Sequence, residues 1–216
     1  MDQLIEIDRQ LLVLINNFCS PYADIFFWHT TQRYWWIALY IIMCICLVRR
    51  YGLRSLWLIV VLVAAAGLSD FISSGLIKHW VCRPRPTHEP ALEGLLHIVN
   101  GYRGGQYGFV SSHAANTFSL ALLFSLIWKD WRVTLPLMVW TALNCYGRMY
   151  LGVHYPGDIL GGLAVGALVA VAAYYLLLYI EHKCQYKEKA TLINGWWHWG
   201  IGIVFTLLCI IALIPF

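Results

Sequence analysis

Long apolar runs alternate with short polar segments along the whole chain. A helix that crosses a bilayer needs roughly 20 apolar residues, and six runs approach that length, at about 34–48, 55–77, 113–128, 133–150, 158–180 and 199–215. The runs follow one another with no internal repeat and no low-complexity linker. The pattern therefore predicts an all-α membrane protein, a six-transmembrane-helix bundle that forms a single domain over residues 1–216 and ends in a last transmembrane helix at 199–215.

The stretch before the first run has a different periodicity. Its apolar residues fall on one face of a helix, whereas Asp2, Glu6 and Arg9 lie elsewhere. These apolar residues are Leu4, Ile7, Leu11, Leu14 and Phe18. Such a segment lies in the membrane interface instead of crossing it. We therefore predict an interfacial amphipathic helix over residues 1–20, and its acidic opening does not resemble a cleavable signal peptide.

The composition agrees with a membrane protein. The chain is 60% hydrophobic and 12% charged, whereas soluble domains carry about twice that charged fraction. The formal net charge of +4 is modest, and no basic run resembles the arm of a nucleic-acid-binding protein. We therefore expect the lipid bilayer as a partner and no nucleic acid.

Helix parity places the polar ends of four predicted spans on one side of the membrane. The second and fourth spans end there, and the third and fifth begin there. The ionisable side chains at these four ends are Lys78, Arg83, Arg85, His113, Arg148, His154 and Asp158. They are far apart in sequence, yet they share one surface whichever way the bundle is oriented.

This set of side chains has the chemistry for phosphoryl transfer. Lys and Arg form a cationic socket, since the Arg fork matches tetrahedral oxyanions. The stretch "SSHAAN" opens a helix, with Ser111 or Ser112 as its N-cap, so its free N–H groups point at an anion. One histidine can attack phosphorus, an aspartate can orient it, and a second histidine can protonate the leaving group. Nothing in this chemistry requires a metal or another cofactor.

Two spacings match a known family. Lys78 followed by Arg85-Pro86 fits the motif KxxxxxxRP, and Arg148, His154 and Asp158 fit SRxxxxxHxxxD. Between them, "VSSH" stands where PSGH is expected. Over about residues 55–180, the predicted catalytic core, the chain resembles the type 2 phosphatidic acid phosphatases, membrane lipid phosphatases that share a core with vanadium haloperoxidases.

The resemblance implies a role for each matching residue. His154 would be the nucleophile, Asp158 its orienting carboxylate and His113 the acid that protonates the leaving group. The residues implied to hold the phosphoryl group are Lys78, Arg85, Ser111, Ser112 and Arg148. By spacing, Arg83 is outside the motif, which leaves it as a bystander or a headgroup contact.

The sequence departs from the family pattern at three positions. Val110 replaces a proline, Ser112 a glycine and Gly147 the serine before Arg148. Proline and glycine set the entry angle and the close backbone approach to phosphate, so the departures bear on loop geometry and rate more than on reaction type. We also predict a lid or headgroup filter at the Gly-rich loop 87–110.

Several other polar or small residues have two interpretations each. Asp70 lies inside a predicted span, where an acid marks either a functional site or a bond to a neighbouring helix. Asn144 lies one turn below Arg148, and Asn116 and Thr117 one turn below His113, as supports or as ordinary polar residues. The small residues Gly157, Gly161, Gly162 and Gly166 are spaced for helix packing.

The Lys and Arg distribution orients the bundle. By parity, the loops on one side carry eight Lys and Arg and the other side seven. Setting aside Lys78, Arg85 and Arg148 as site residues leaves four on the second side, so the first side is predicted to be cytoplasmic. With that orientation the site faces the periplasm of a bacterial inner membrane.

The function predicted on this basis is a metal-independent lipid phosphatase. It would hydrolyse a phosphomonoester or diphosphate of a membrane lipid through a phosphohistidine. The resemblance leaves four substrates open: undecaprenyl diphosphate, phosphatidylglycerol phosphate, phosphatidic acid and a lipid A phosphate. Two alternatives remain, an ion-coupled transporter that uses Asp70 and a catalytically weakened phospholipid-binding member of the family, suggested by "VSSH". The sequence sets no oligomeric state.

Overall fold

The computed structural model describes residues 2–183 and 196–214, and in this part of the chain the protein is almost entirely helical. Its α-helices are α1 (Asp2–Asn17), α2 (Pro21–Thr30), α3 (Ile37–Tyr51), α4 (Arg54–Asp70), α5 (Lys78–Val81), α6 (Ser112–Trp128), α7 (Trp131–Tyr150), α8 (Pro156–Lys183) and α9 (Trp196–Ile211). A 3₁₀ turn over Arg33–Trp36 leads into α3, and a π-helical stretch over Phe71–Ile77 joins α4 to α5. Three further 3₁₀ turns, Pro86–His88, Pro90–Leu92 and Val99–Gly101, lie between α5 and α6. The only strand-like pairing in the described ranges is one bridge between Pro84 and Tyr107.

All six predicted spans coincide with helical segments, but fewer meet the requirements of a span. Three stretches, Arg33–Tyr51, Arg54–Val81 and Pro156–Lys183, are long and apolar enough to cross a membrane. The bent pair Gln3–Asn17 and Pro21–Thr30, with 113° between its two helices, is a fourth candidate. Trp197–Ile211 is apolar but shorter, and residue 215, the last of the predicted span 199–215, lies outside the described residues. Six spans therefore remain a prediction.

Close packing of α6 against α8 forms the centre of the bundle. A Cβ added to Gly162 would lie 2.4 Å from the carbonyl oxygen of Ser111, and one added to Gly166 would lie 2.5 Å from that of Ala115. Only glycine permits such a close backbone approach. Gly162 and Gly166 thus pack α8 against α6, as their spacing predicts, whereas Gly157 approaches Asp8 and Gly161 approaches Val110.

One large apolar cluster of the bundle contains several buried aromatic residues. Trp36, Trp128 and Trp140 are each at most 1% exposed and belong to one apolar cluster that also includes residues of α4, α8 and α9. The half with the motifs contains smaller clusters instead, one of which joins Leu12 of α1 to Tyr155. The site is therefore held by polar contacts and by the N-terminal helices more than by a large apolar core.

The N-terminal segment forms two helices where one was predicted. The helix expected over residues 1–20 ends at Asn17, and α2 follows it. Ser20 caps α2 by accepting a hydrogen bond from the amide of Ala23, and Pro21 occupies its first turn. A serine followed by a proline is a sequence signal for a helix start, so α2 was predictable. The predicted apolar face of α1 is exposed, with Leu4 and Phe18 each 72% exposed.

Candidate active site

The centre of the site is a buried pair on the segment between α7 and α8. His154 is 1% exposed and Asp158 is fully buried. Nδ1 of His154 lies 3.3 Å from Oδ2 of Asp158, and the same oxygen accepts a hydrogen bond from the Tyr155 amide at 3.0 Å. Asp158 is in the first turn of α8, four residues after His154, so the start of this helix brings the two side chains together.

Arg85 contacts the other ring nitrogen of the histidine. Its Nη1 lies 2.9 Å from Nε2 of His154 and also donates to the carbonyl of Val153 at 3.1 Å. A guanidinium only donates hydrogen bonds, so Nε2 is the acceptor and the ring proton is on Nδ1, facing Asp158. Two independent neighbours therefore select the same tautomer, the one with its lone pair on Nε2.

The ring of His154 is also held in its neutral form. Burial lowers the pKa of His154 well below its usual value, and the positive charges of Arg85, Arg148 and Lys78 lower it further. A neutral imidazole keeps its lone pair at neutral pH. The side chain thus has the free lone pair that a nucleophile needs.

Three cations converge near this ring without acidic partners of their own. Arg148 is 3% exposed and Arg85 is 8% exposed, and among the residues that the structure describes neither of them, nor Lys78, forms an ion pair. The Nε atoms of both arginines are buried without a hydrogen-bond partner in the same ranges. Unpaired buried cations are costly, so this socket has the charge and the free donors for an anion.

Lys78 follows directly on the π-helical stretch. π-helical turns are rare and concentrate at functional sites. Nζ of Lys78 donates to Oγ of Ser112 at 3.3 Å, which joins the start of α5 to the start of α6. The lysine and the serine predicted to hold phosphate are therefore neighbours.

The start of α6 contributes the remaining predicted residues. Ser111 is its N-cap, and the Ser111 amide donates to the carbonyl oxygen of Asp158 at 2.9 Å, which ties the two helix starts together. His113 lies one residue inside the helix, and the cations that act electrostatically on it include Arg148, Lys78 and Arg85. All eight predicted site residues thus lie at the ends of α5, α6, α7 and α8 or in the segments that join α5 to α6 and α7 to α8.

Arg83 occupies a position that its sequence spacing did not predict. Its Nη1 donates to Oδ1 of Asp158 at 2.9 Å, and its Nη2 donates to Oδ2 of Asp8 in α1 at 2.7 Å. Extended backbone places alternate side chains on one face, so Arg83 and Arg85 both face the buried pair. The interpretation of Arg83 as a bystander is therefore wrong, and a headgroup contact stays a prediction.

The paired limbs of the loop before α6 hold these two arginines in place. The Arg85 amide donates to the carbonyl of Gln106 at 3.0 Å, and the Gly108 amide donates to that of Arg83 at 2.9 Å. A Cβ on Gly108 would lie 2.8 Å from Oδ2 of Asp158. Glycine at this position thus allows the loop to close over the carboxylate.

Loop 87–110 adds one contact that the sequence did not reveal. Nη2 of Arg148 donates to Oη of Tyr102 at 3.2 Å. Burial alone raises the pKa of Tyr102, but the charge and hydrogen bond of Arg148, together with the charges of Arg85 and Arg33, outweigh burial and lower it. The loop is also fixed to the N-terminal helices, because Asn16 accepts from the amide of His97 at 2.7 Å.

Two of the candidate supports contact neighbours of the site and one does not. Asn116 donates to Asp70 at 3.0 Å, which gives Asp70 the bond to a neighbouring helix that was one of its two interpretations. Thr117 donates to the carbonyl of His113 at 2.8 Å. The amide of Asn144 instead donates to the carbonyl of Trp140 in its own helix, so Asn144 does not support Arg148.

The departure at Gly147 has a steric cause. A Cβ at this position would lie 2.6 Å from Cγ2 of Thr31 and 3.1 Å from Cδ1 of Phe27. Both neighbours belong to α2 or to the residue after it. The serine of the family motif therefore does not fit while α2 packs here, and α2 supplies the reason for glycine.

The donor set indicates acid–base chemistry. In residues 2–183 and 196–214 no group of three or more His, Cys, Asp or Glu side chains could hold a metal ion. What converges is one neutral histidine, its carboxylate, a second histidine and three cations. This combination can bind a tetrahedral oxyanion and present a nitrogen nucleophile to it.

Comparisons with known proteins agree with this geometry. The family model described as the PAP2 superfamily matches residues 54–182. A lipid A 4'-phosphatase from Porphyromonas gingivalis is 32% identical over 219 residues, 97% of this chain and 93% of that protein. Another, from Bacteroides thetaiotaomicron, is 32% identical over 182 residues, 83% of this chain and 79% of that protein.

A solved structure has the same fold. It is a transmembrane PAP2-type phosphatidylglycerolphosphate phosphatase from Bacillus subtilis, with a TM-score of 0.63 and 19% identity over 87% of this chain and 90% of that one. The matched family region contains the two motif spacings, the histidine–aspartate pair and the cationic socket. The chain belongs to the PAP2 superfamily.

Proposed function

We propose that this protein is a lipid phosphatase that releases phosphate from a membrane lipid through a phosphohistidine on His154. The observation that carries the proposal is the pair of contacts on the imidazole, with Nδ1 facing Asp158 and Nε2 facing Arg85. These contacts give the nucleophilic nitrogen a lone pair that points at a cationic group. A phosphoryl oxygen that replaces Nε2 as the acceptor for Arg85 would bring phosphorus next to that lone pair.

The reaction then proceeds in two displacements. In the first, the Nε2 lone pair forms a bond to phosphorus as the bond from phosphorus to the lipid oxygen breaks, and protonated His113 gives its proton to the leaving alkoxide. In the second, water attacks phosphorus while His113 takes a water proton, and the electrons of the N–P bond return to Nε2. Lys78, Arg85 and Arg148 stabilise the charge on the phosphoryl oxygens in both steps.

Among the four candidate lipids, we propose a lipid A 4'-phosphate as the first substrate to test. Two relatives that match 97% and 83% of this chain are named lipid A 4'-phosphatases. The other candidates remain in the test because relatives of lower coverage are named for other lipid phosphates, among them an undecaprenyl-diphosphatase of Escherichia coli that matches 65% of this chain.

The transporter alternative loses the feature that suggested it. Asp70 accepts a hydrogen bond from Asn116 and lies 3.9 Å from Arg33, so its charge has neighbours within the protein. The predicted ligands are at helix ends, whereas transporter sites lie near the middle of the bilayer. Hydrolysis at the membrane surface therefore has the stronger support.

The test is a phosphate-release assay across the four lipids with purified protein in detergent micelles. We expect release from at least one lipid in the presence of EDTA, and a loss of at least about 10⁴-fold on His154→Ala because the nucleophile is removed. His182→Ala, at an exposed position near the end of α8, is the matched control and keeps its activity. Turnover by the His154→Ala protein close to that of the wild type would rule out this mechanism.

We further propose that the bundle crosses a bacterial inner membrane six times with the site on the periplasmic side. The eight Lys and Arg on the opposite side support this orientation. Cysteines introduced at Gly105 and at Leu53 into a cysteine-free protein test it. A thiol reagent that does not cross the membrane should label position 105 in intact spheroplasts and position 53 only after lysis, and the reverse order would contradict the orientation.

A further inference from the structure

We propose that Arg83 and Asp8 form a positioning relay that holds the orienting carboxylate of the nucleophile from the N-terminal helix. The inference rests on the proposed function for its catalytic consequence. The relay runs from Asp8 in α1 through the guanidinium of Arg83 to Asp158 and then to His154. Neither Arg83 nor Asp8 belongs to the residues matched by the motif spacing.

The two carboxylate oxygens of Asp158 contact different groups, because one of them is bonded to the guanidinium of Arg83. Oδ1 accepts from Arg83 at 2.9 Å, whereas Oδ2 faces Nδ1 of His154 and accepts from the Tyr155 amide. A carboxylate bonded at both oxygens cannot turn about its side-chain axis without breaking a charge-assisted bond. The oxygen that faces Nδ1, and with it the ring orientation, is therefore fixed.

Asp8 holds the other end of the guanidinium. Its Oδ2 accepts from Nη2 of Arg83 at 2.7 Å, and its Oδ1 accepts from the amide of Gly157 at 2.7 Å. A Cβ on Gly157 would lie 2.8 Å from Oδ2 of Asp8, so glycine is required for this approach. Asp8 thus contacts both the arginine and the start of the helix that contains Asp158.

The surroundings of Arg83 make the bridge rigid. Its guanidinium carbon lies 3.9 Å from the centre of the Tyr155 ring, in cation–π geometry. The side chains of Arg83 and Asp8 are 23% and 14% exposed, and that of Asp158 is fully buried. An ion pair with this little solvent access is weakly screened, so its geometry persists at high salt.

The relay connects the catalytic pair to the surface where α1 meets the lipid. Asp8, Leu12 and Asn16 are spaced four residues apart on the inner face of α1, and Leu12 and Asn16 are fully buried. The exposed apolar side chains Ile7 and Leu14 lie on another face of the helix. If α1 moves away from the bundle, Asp8 loses its contact with Arg83. Attachment of α1 to the membrane interface is therefore a condition for full activity.

The relay can be tested with four single substitutions, Arg83→Gln, Arg83→Lys, Asp8→Asn and the control Glu6→Gln. Arg83 does not touch the phosphoryl socket, so we expect Arg83→Gln to lower kcat about 100-fold through misorientation of the nucleophile, with KM changed by less than about threefold. Arg83→Lys should recover about tenfold because a lysine bonds one carboxylate but lacks the fork. Glu6, which accepts from Gln10 on the exposed side of α1, has no path to Asp158, so Glu6→Gln keeps full activity.

A double mutant separates a relay from two independent structural effects. Asp8→Asn alone should lower kcat about tenfold, yet add less than about twofold in the Arg83→Gln background, since both substitutions break the same chain of contacts. Multiplicative losses, or a fall in the folded fraction that accounts for each loss, would overturn the relay.

A spectroscopic readout keeps the relay testable apart from the phosphatase chemistry. In [¹⁵N]histidine-labelled protein, the signals that disappear in His154→Ala belong to His154. We expect the Nδ1-protonated tautomer in both the wild type and Arg83→Gln, because Arg85 still donates to Nε2. In Arg83→Gln the Nδ1–H proton resonance should move upfield, since its hydrogen bond to Asp158 is weakened, whatever lipid is hydrolysed. An unchanged Nδ1–H resonance with unchanged kcat overturns the relay alone, whereas the expected upfield shift without phosphate release from any lipid supports the relay and overturns the proposed function.

Discussion

The two ends of the bundle use their arginines differently. At the end away from the motifs, Arg50 donates to the last carbonyl of α6, that of Trp128, at 2.8 Å and stacks over its ring, and Arg54 pairs with Glu181. At the motif end, Arg85 and Arg148 are more deeply buried, point towards a histidine and a tyrosine, and have no acidic partner in the described ranges. Arg54, paired with an acid, and Arg50, bonded to the end of a helix, stabilise the bundle, whereas buried arginines without an acidic partner indicate an external anion.

Arg83 combines both kinds of environment. It lies at the motif end and two residues before Arg85, yet it is paired with two carboxylates in the manner of Arg54. Because its charge is paired with acids, Arg83 stabilises the protein and does not bind the phosphoryl group. The comparison therefore predicts that substitution of a socket arginine leaves stability unchanged or higher, whereas substitution of an arginine paired with acids lowers stability.

The largest effect expected from this comparison is on Arg148→Met. Removal of a cation that stabilises charge in the transition state should lower kcat/KM about 10²–10³-fold. The thermal midpoint of unfolding should stay the same or rise, because the substitution removes an uncompensated buried charge. Phosphate release and thermal unfolding in detergent check both halves, and a midpoint that falls along with activity would show that Arg148 is structural.

Arg54→Gln should give the reverse result. Glu181, whose side chain is 17% exposed, loses its partner, and we expect the free energy of unfolding to fall by about 2 kcal/mol. Phosphate release per folded molecule should match that of the wild type, since α4 separates Arg54 from the site. A loss of kcat in the folded fraction would contradict the division between the two ends.

Gly147→Ser restores the family motif and should nevertheless destabilise the protein. The new Cβ meets Thr31 at 2.6 Å, and overpacking of this kind costs about 1–3 kcal/mol. Gly67→Ser is the matched control, because a Cβ at this helical glycine meets nothing within 4 Å. Equal unfolding midpoints for the two variants would show that α2 does not exclude the serine.

The smallest effect concerns Tyr102, the one loop residue that bonds a socket arginine. Tyr102→Phe removes a hydrogen bond worth about 1 kcal/mol, so we expect kcat/KM to fall about fivefold. Arg148 keeps its charge, so the loss must be far smaller than that of Arg148→Met. Comparable losses in the two variants would place the tyrosine itself among the groups that act on the phosphoryl group.

How far the sequence predicts the site follows from what each residue depends on. Local spacing is enough for His154 and Asp158, since one turn of backbone between α7 and α8 brings them together. Helix parity is enough to bring Lys78, His113 and Arg148 to one end. These predictions use only the period of the helix and the length of the spans.

The residues that sequence reasoning missed depend on distant partners. Arg83 is defined by Asp8, 75 residues away, and Gly147 by Thr31 in a region where no helix was predicted. Tyr102 lies in an irregular loop whose path is set by contacts with α1 and α2. No periodicity reports such contacts, although Ser20 followed by Pro21 did signal the helix that explains Gly147.

The central claim is that His154 is the nucleophile that accepts the phosphoryl group within the cationic socket. The most direct test uses His113→Ala with [³²P]p-nitrophenyl phosphate. The p-nitrophenolate leaving group needs no proton, so the first displacement proceeds without His113. Hydrolysis of the phosphohistidine still needs His113 as the base, so the phosphohistidine accumulates in the variant. The account predicts a burst of one p-nitrophenolate per enzyme molecule and an acid-labile, alkali-stable label on the peptide that contains His154. Steady release without a burst, or a label on any other residue, would contradict it.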